Sequence, residues 1–307
     1  MQIAIIASSK DPAGVNIRNN LLELFDFNKT NEKFDNNDAY ECNKFQSKNI
    51  KLYLTNEDLI FSERIDEKIN ADVFVFASKH RSKENTKSFA VHPIGNWDKN
   101  EFGGKEKSLC PSSAVLLKNL FVELNNIAKS TKIKDFRDTK NQSVVSEFAR
   151  AHSHSTDFLV NSGYELTMEA THHGPYIEKP AVFVEVGSTE EEWNNAENGK
   201  IIAKTIMSGL KNENLDYKIA VGIGGPHYCS NFNKVALRTD IAFSHICPKY
   251  MLDKLNEELI KQSIGKTKEK IDFIVLDWKG LGAEKQRIID MLQNLNLEFK
   301  RTDQILN

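Results

Sequence analysis

A layered α/β/α fold with a mixed, mostly parallel sheet is predicted by three features of the sequence. Strand-like and helix-like periods alternate along the chain. Several strand candidates, Asp72–Ser78 above all, are nearly continuous apolar runs, as strands covered on both faces are. Polar turns containing glycine follow many of these runs. With 307 residues, 40% hydrophobic and 27% charged, the chain is long enough for one large core or two modest ones.

Taken in order, Gln2–Ser8 reads as a buried strand. A Lys10–Gly14 turn then leads into the helical period Ile17, Leu21, Leu24, Phe25. Lys51–Thr55 and Asp72–Ser78 are the next strands. From Lys79 to Cys110 the chain turns polar and glycine-rich and reads as a long functional or mobile loop. A helix starts near Ser112 and buries Leu116, Leu117, Leu120 and Phe121. The charged stretch 130–143 marks a soft boundary between an N-terminal part, residues 1–130, which carries the basic loop 79–107, and a C-terminal part, residues 131–307; a single compact unit is the other arrangement. A helix from Phe148 to Leu159, strand Tyr164–Ala170 and strand Pro180–Gly187 follow. Ser188-Thr189-Glu190-Glu191 matches a capping box opening a helix to about Lys211. Strands Tyr217–Ile223, Ile241–His245 and Ile271–Asp277 and helices Met251–Gln262 and Ala283–Leu295 complete the chain.

Composition narrows the function classes. The longest apolar runs, Ile3–Ala7 and Val73–Ala77, fall far short of the ~20 residues of a bilayer crossing. No basic segment precedes the first, so neither a membrane nor a secretory role is expected. Cys42, Cys110, Cys229 and Cys247 are scattered without a CxxC pair, which suits a reduced, cytoplasmic protein. Lysine plus arginine number 41 against 43 acids, so no global field captures DNA or RNA and a nucleic-acid partner needs a local patch. Lys79, Arg81, Lys83, Lys87, Lys99, Lys105 and Lys107 form one such stretch; Lys129, Lys132, Lys134, Arg137 and Lys140 form another. No self-association signal is visible, so a monomer is expected.

The histidines concentrate the chemistry. Ligands of open α/β sheets bind at the carboxyl ends of strands. His80 and His92 follow Asp72–Ser78, His172 and His173 follow Tyr164–Ala170, His227 lies beyond Gly224-Gly225-Pro226, and His245 ends Ile241–His245. One crevice lined by imidazoles is the prediction. Adjacent side chains on a regular strand point to opposite faces, so His172 and His173 share a site only if the strand has ended, as Gly174-Pro175 suggests. Such imidazoles can ligate zinc, with Glu169 as ligand, orienting partner or general base. Gly222-Ile223-Gly224-Gly225-Pro226-His227-Tyr228 offers close backbone approach and amides for a phosphate or oxyanion, but lacks the nucleotide-binding glycine order. In Asp277-Trp278-Lys279-Gly280, Lys279 could neutralise a developing charge, and Trp278 could stack on a base or pack in the core. His152-Ser153-His154 reads as surface, and no GxSxG elbow occurs. These residues alone leave open a metallohydrolase or phosphorylase acting on a small molecule, a non-catalytic RNA-binding module and a peptidyl-tRNA hydrolase.

Several segments together resemble the archaeal- and plant-type D-aminoacyl-tRNA deacylases. They are Ser78-Lys79-His80-Arg81-Ser82, His92 with Gly95-Asn96-Trp97, Gly103-Gly104-Lys105, Glu169 through Pro175, Glu185 through Ser188 with Glu190 through Trp193, Gly222 through Tyr228, Ala242 through Tyr250, and Asp277 through Gly280. The resemblance runs over nearly the whole chain and departs from the pattern at 125–163, so His152 and His154 inherit no role. It implies a phosphorylase/hydrolase-like fold and hydrolysis of the ester joining a D-amino acid to the 3′ end of tRNA, with zinc as cofactor. On that footing His92, His172, His173 and His227 are the expected metal-ligand pool, with Glu169 or Glu185 as general base. Zinc would lower the pKa of a bound water to about 7. Lys279 or the amides near Gly224-Gly225 would steady the oxyanion. Lys79, His80, Arg81, Lys105, Gly224, Gly225 and Trp278 are then expected to contact the substrate.

Overall fold

The computed structural model describes residues 1–131, 163–212 and 216–307. The expected helix Phe148–Leu159 and the pair His152 and His154 lie outside these residues. Strands run β1 Gln2–Ser8, β2 Asn28–Phe34, β3 Asn37–Phe45, β4 Lys48–Thr55, β5 Val73–His80, β6 Ser88–His92, β7 Gly95–Asn96, β8 Ser108–Leu109, β9 Glu165–Met168, β10 Ala181–Gly187, β11 Lys218–Ile223, β12 Ile241–Cys247, β13 Phe273–Leu276 and β14 Phe299–Arg301. The longer helices are α1 Pro12–Leu24, α2 Ala114–Ser130, α3 Glu190–Asn194, α4 Ala196–Lys211, α5 Ser230–Arg238, α6 Glu257–Gly265 and α7 Lys285–Asn294.

The predicted α/β class holds, with the strands divided between two main sheets. One is eight-stranded, in the order β2-β3-β4-β1-β5-β10-β6-β9, and the other four-stranded, in the order β12-β11-β13-β14. β4, β1, β5 and β10 run parallel, as do all four strands of the smaller sheet. β9 and β10, both beyond residue 130, complete the sheet that β1 begins. β1, β5 and β10 are almost wholly buried, which is why they read as continuous apolar runs. No helix among the described residues is long and apolar enough to cross a membrane.

Local chemistry accounts for most boundaries. Asp11 caps α1 by accepting from the Gly14 amide at 3.0 Å, with Pro12 in the first turn. Its other oxygen accepts from the Lys79 amide at 2.9 Å and the Ser78 hydroxyl at 3.1 Å, so one cap ties α1 to the end of β5. A Cβ at Gly14 would lie 2.8 Å from the Ala77 carbonyl oxygen, so the helix start needs glycine for close approach.

Four expectations are corrected. The stretch 79–107 is no continuous solvated loop, because Ser88–His92 within it forms the buried strand β6. β6 pairs antiparallel with β10 and parallel with β9, partners about a hundred residues or fewer away and invisible to a local reading. The helix expected from Ser188 to Lys211 is two helices. Thr189 and Glu192 form the capping box one residue later than read, and Asn195 caps α4 by accepting from Glu197 at 3.0 Å. The helix expected at Met251–Gln262 begins instead at Glu257, where Asn256 accepts from the Leu259 amide at 2.9 Å. The polar hairpin β2–β3, turning through Asp35 and Asn36 at φ 49° and 64°, and helix α5 escaped the apolar periodicity altogether.

A buried lysine fastens the two sheets' helices. Lys118 of α2 donates to the carbonyls of Ala236, Thr239 (2.7 Å) and Ile241 (3.1 Å), closing the C-terminal end of α5 where backbone acceptors have no helical partner. Replacing Lys118 by Met leaves those carbonyls buried without a donor and is expected to lower stability by about 3 kcal/mol or more. A urea melt with unchanged slope and a lower midpoint checks it.

Candidate active site

The cluster sits where the two sheets meet. β5 ends in His80, β6 ends in His92, Glu169 follows β9, and Glu185 lies on β10. From the smaller sheet, the turn after β11 brings His227, whose carbonyl accepts from the Ala170 amide at 2.9 Å. The Thr171 amide donates to the Ile246 carbonyl at 3.0 Å, and its hydroxyl accepts from the Ile246 amide at 3.0 Å, which locks β12 to the same seam.

The strand before Glu169 ends at Met168, so the condition set by the alternation rule is met. His173 adopts the left-handed conformation at φ 46°, and the rings of His172 and His173 lie 4.3 Å apart between centroids. His92 is 4.2 Å from His172 and 4.8 Å from His173. Phe183 is the floor: His92 stacks on it at 5.2 Å, and His173 meets it edge-on at 4.8 Å. Phe183 and Glu185 are two apart on β10 and so share a face, which puts floor and carboxylate on the same side.

Each imidazole has one nitrogen committed. Nδ1 of His92 meets the Pro93 carbonyl at 3.0 Å, that of His172 the Ala170 carbonyl at 2.8 Å, and that of His173 the Gly174 carbonyl at 2.6 Å. A carbonyl can only accept, so these contacts put a proton on Nδ1, and in the neutral ring Nε2 then keeps its lone pair. His227 Nδ1 pairs with the Tyr250 hydroxyl at 2.9 Å, and His80 Nε2 with that of Tyr228 at 3.3 Å.

The carboxylates are buried among these rings. Glu169 is 0% exposed, with Oε1 3.3 Å from His80 Nδ1, and Oε2 3.5 Å from His172 Nε2 and 3.4 Å from His227 Nε2. Glu185 Oε2 lies 3.4 Å from His80 Nδ1 and 3.7 Å from His92 Nε2. Burial works against both charges, but His80 and its neighbours outweigh it and hold both carboxyls ionised below their usual range. Burial opposes the charge on His80 as well; Glu169 and Glu185 overcome it and raise its pKa to about 9. Burial pushes His173 down to about 4 and His172 well below its usual value, so both rings are neutral.

Three overlapping groups hold ligand atoms within 4.8 Å of one another: His92, His172 and His173; Glu169, His172 and His227; and His80, Glu169 and Glu185. A metal ion fits this donor set. His92 Nε2 and both oxygens of Glu169 are buried without a hydrogen bond, and neutral imidazoles with Nδ1 held by carbonyls are the ligand form.

The structure thus brings together Glu169, Glu185, His80, His92, His172, His173 and His227. His80, expected in the imidazole crevice as a substrate contact, sits inside the donor cluster between the two carboxylates, and Tyr228 and Tyr250, which sequence reasoning did not single out, stand behind the rings. The His227-Tyr228 pair directly after the glycine turn was the available signal for Tyr228. His245 is not part of it; it is buried beside Thr171, 3.3 Å from that hydroxyl.

The remaining candidates lie apart. The Gly224 amide already donates to the Cys247 carbonyl at 2.8 Å, so it is not open to an oxyanion. Gly225 is closed over by Gly280, where a Cβ would meet the Gly225 nitrogen at 2.3 Å. Trp278 lies between Lys285 at 4.4 Å and Arg301 at 4.3 Å, and Lys279 is exposed; neither has a hydrogen bond or ion pair to the cluster among the described residues. Arg81 lies over Trp193 at 5.2 Å, Lys79 is half-buried, and Lys105 lies over Tyr176 at 3.9 Å.

Residues 67–300 match the family model described as D-aminoacyl-tRNA deacylase. A D-aminoacyl-tRNA deacylase of Pyrococcus furiosus is 36% identical, over 96% of this chain and 98% of its own length. One from Methanocaldococcus jannaschii is 33% identical over 98% of this chain and all of its own length. A crystal structure of a "Conserved Protein of Unknown Function AF0625" superposes with a TM-score of 0.79 at 29% identity, covering 100% of this chain and 96% of that one.

Burial pushes the pKa of His245 down to about 3, whereas unfolding returns it to about 6.5. The unfolded chain then takes up the proton first, so this stabilisation is complete above pH 6.5 and is lost as pH falls toward 3. Between pH 7 and 5 the loss is expected to be about 2 kcal/mol. His245→Gln, which cannot charge, flattens the dependence of unfolding free energy on pH by that amount.

Proposed function

The chain belongs to the D-aminoacyl-tRNA deacylase family, and from that premise we propose that it hydrolyses the ester of D-aminoacyl-tRNA with zinc held by His92, His172 and His173. The observation that carries this is the triangle of imidazoles, each with Nδ1 on a backbone carbonyl, beside a buried carboxylate that makes no hydrogen bond. Three histidines and an open position are a donor set that catalytic zinc takes. When bound, zinc supplies Lewis acidity, which makes water a nucleophile near neutral pH and polarises a carbonyl.

The protein's own groups do the rest. Glu169 takes a proton from the water that attacks the ester carbonyl carbon; the new C–O bond forms as that O–H bond breaks. The ester C–O bond then breaks, and the proton returns to the departing ribose oxygen through His227, whose Nε2 lies 3.4 Å from Glu169 Oε2. Free D-amino acid and tRNA leave. Tyr250 hydrogen-bonds Nδ1 of His227 from the other side and so orients the ring. His80, between Glu169 and Glu185, keeps the two carboxylates from repelling one another. Lys79, Arg81 and Lys105 are the cations we assign to the tRNA phosphates, and a steep fall of affinity with salt is the signature of such contacts.

Matched D- and L-tyrosyl-tRNA separate this reading from its rivals. Rapid loss of the D-ester alone, abolished by a chelator and restored by zinc, is expected. Selectivity untouched by chelation removes the zinc, and cleavage of N-blocked L-aminoacyl-tRNA in preference to the D-ester indicates a peptidyl-tRNA hydrolase. Glu169→Gln is expected to lower kcat about 10²- to 10⁴-fold with zinc content, measured by atomic emission, unchanged. Loss of metal in that variant would make Glu169 a ligand instead.

A further inference from the structure

Among the described residues, the large apolar side chains most exposed are Met1, Leu24, Phe61, Phe102 and Tyr250. Of the aromatic ones, Tyr250 belongs to the histidine cluster, and the segments carrying Phe61 and Phe102 are joined to it through backbone contacts. Tyr250 touches His227 directly. Phe102, 65% exposed, has its carbonyl bonded by the Gly174 amide at 3.0 Å, next to His173 in sequence. Phe61, 53% exposed, stands beside it, because a Cβ on Gly103 would lie 3.2 Å from the Phe61 ring. Single exposed apolar side chains are ordinary on a protein surface, but exposed rings that gather into a patch mark a binding surface.

The backbone here is rigid. Gly103 and Gly104 take φ of 77° and 80°, and a Cβ on Gly103 would lie 1.8 Å from the Ile60 carbonyl oxygen. Glu63 accepts from the Gly104 amide at 2.6 Å and from the Tyr176 amide at 2.7 Å, which joins the three segments under the rings. The Arg64 amide closes the arrangement on the Tyr176 carbonyl at 3.1 Å. None of these groups takes part in the chemistry assigned to the cluster.

We propose that Phe61 and Phe102 form a stacking ledge for the unpaired nucleobases at the 3′ end of tRNA. The proposal rests on the deacylase reading, which requires the ester at the histidines and so brings the terminal adenosine and the bases before it across this rim. Every base presents a π-face, so two exposed rings serve any tRNA, whatever its amino acid. Lys105, over Tyr176 on the same ledge, provides the cation for the phosphates between them.

The test uses uncharged tRNA, intact or with its last three nucleotides removed, against the wild-type protein, Phe61→Ala, Phe102→Ala and the double variant. Wild type is expected to bind intact tRNA about tenfold or more tighter than trimmed tRNA, and each Ala variant to lose about fivefold or more of that preference. The thermal midpoint stays unchanged, since both rings are exposed. Equal affinity of the wild type for both tRNAs, or a preference undiminished in the double variant, overturns the ledge. So does a wild-type dimer that the double variant dissociates while the preference for intact tRNA persists, since the rings would then be a contact between copies. Release of D-amino acid is measured separately: its absence with the preference intact overturns the deacylase reading and supports the ledge.

Discussion

Two carboxylates taken out of water set the terms for the rest of this protein. Each buried charge costs several kcal/mol unless neighbours compensate it. Glu169 and Glu185 meet that requirement through His80, which lies within 3.4 Å of both, and through His92 and His227 around them. Low dielectric makes these attractions strong and makes any group left unpaired expensive. The site is therefore held as a unit. Its members come from β5, β6, β9, β10 and the turn after β11, so the unit exists only when both sheets are in place.

The seam between the sheets does this assembly with backbone groups, which tolerate change of side chain. Ala170 to His227 and Thr171 to Ile246 join the segment after β9 to the smaller sheet. Thr167 adds a side-chain bond to the Tyr228 carbonyl at 2.7 Å. On the far side of the same seam, Lys118 closes α5, the helix that follows Tyr228. The loop carrying His227 is thus fixed at both ends, one at the cluster and one in the core. Such support gives the imidazoles defined directions before any substrate arrives.

A division of labour follows for the residues flanking the histidines. The glycines of the Gly224-Gly225 turn and of the Asp277–Gly280 loop pack against each other and hold the His227 loop. Gly103, Gly104 and Gly174 pack another surface, the one that raises Phe61 and Phe102 into solvent. Motifs that look alike in sequence, short and glycine-rich after a strand, thereby end as support for the histidines in one place and beneath exposed rings in another. Trp278 shows the same distinction: with cations on its ring at 4.3 and 4.4 Å, it is occupied by the protein itself.

Residue pattern alone was enough for the α/β class, the main strands β1, β5, β10 and β11, and the gathering of histidines behind strands, because burial on both faces and strand ends leave local marks on residue type. It also marked Glu169, His172 and His173 as a unit through the strand-ending Gly174-Pro175. Tertiary structure alone decided that Ser88–His92 is a strand, since its partners β9 and β10 lie far along the chain. It alone placed His80 between two carboxylates and Phe183 beneath His92, and closed the Gly224 amide by a bond to Cys247. The physical reason is common to all of these. Periodicity records which face of an element is buried, whereas a contact across a seam depends on the register of strands that no local window contains.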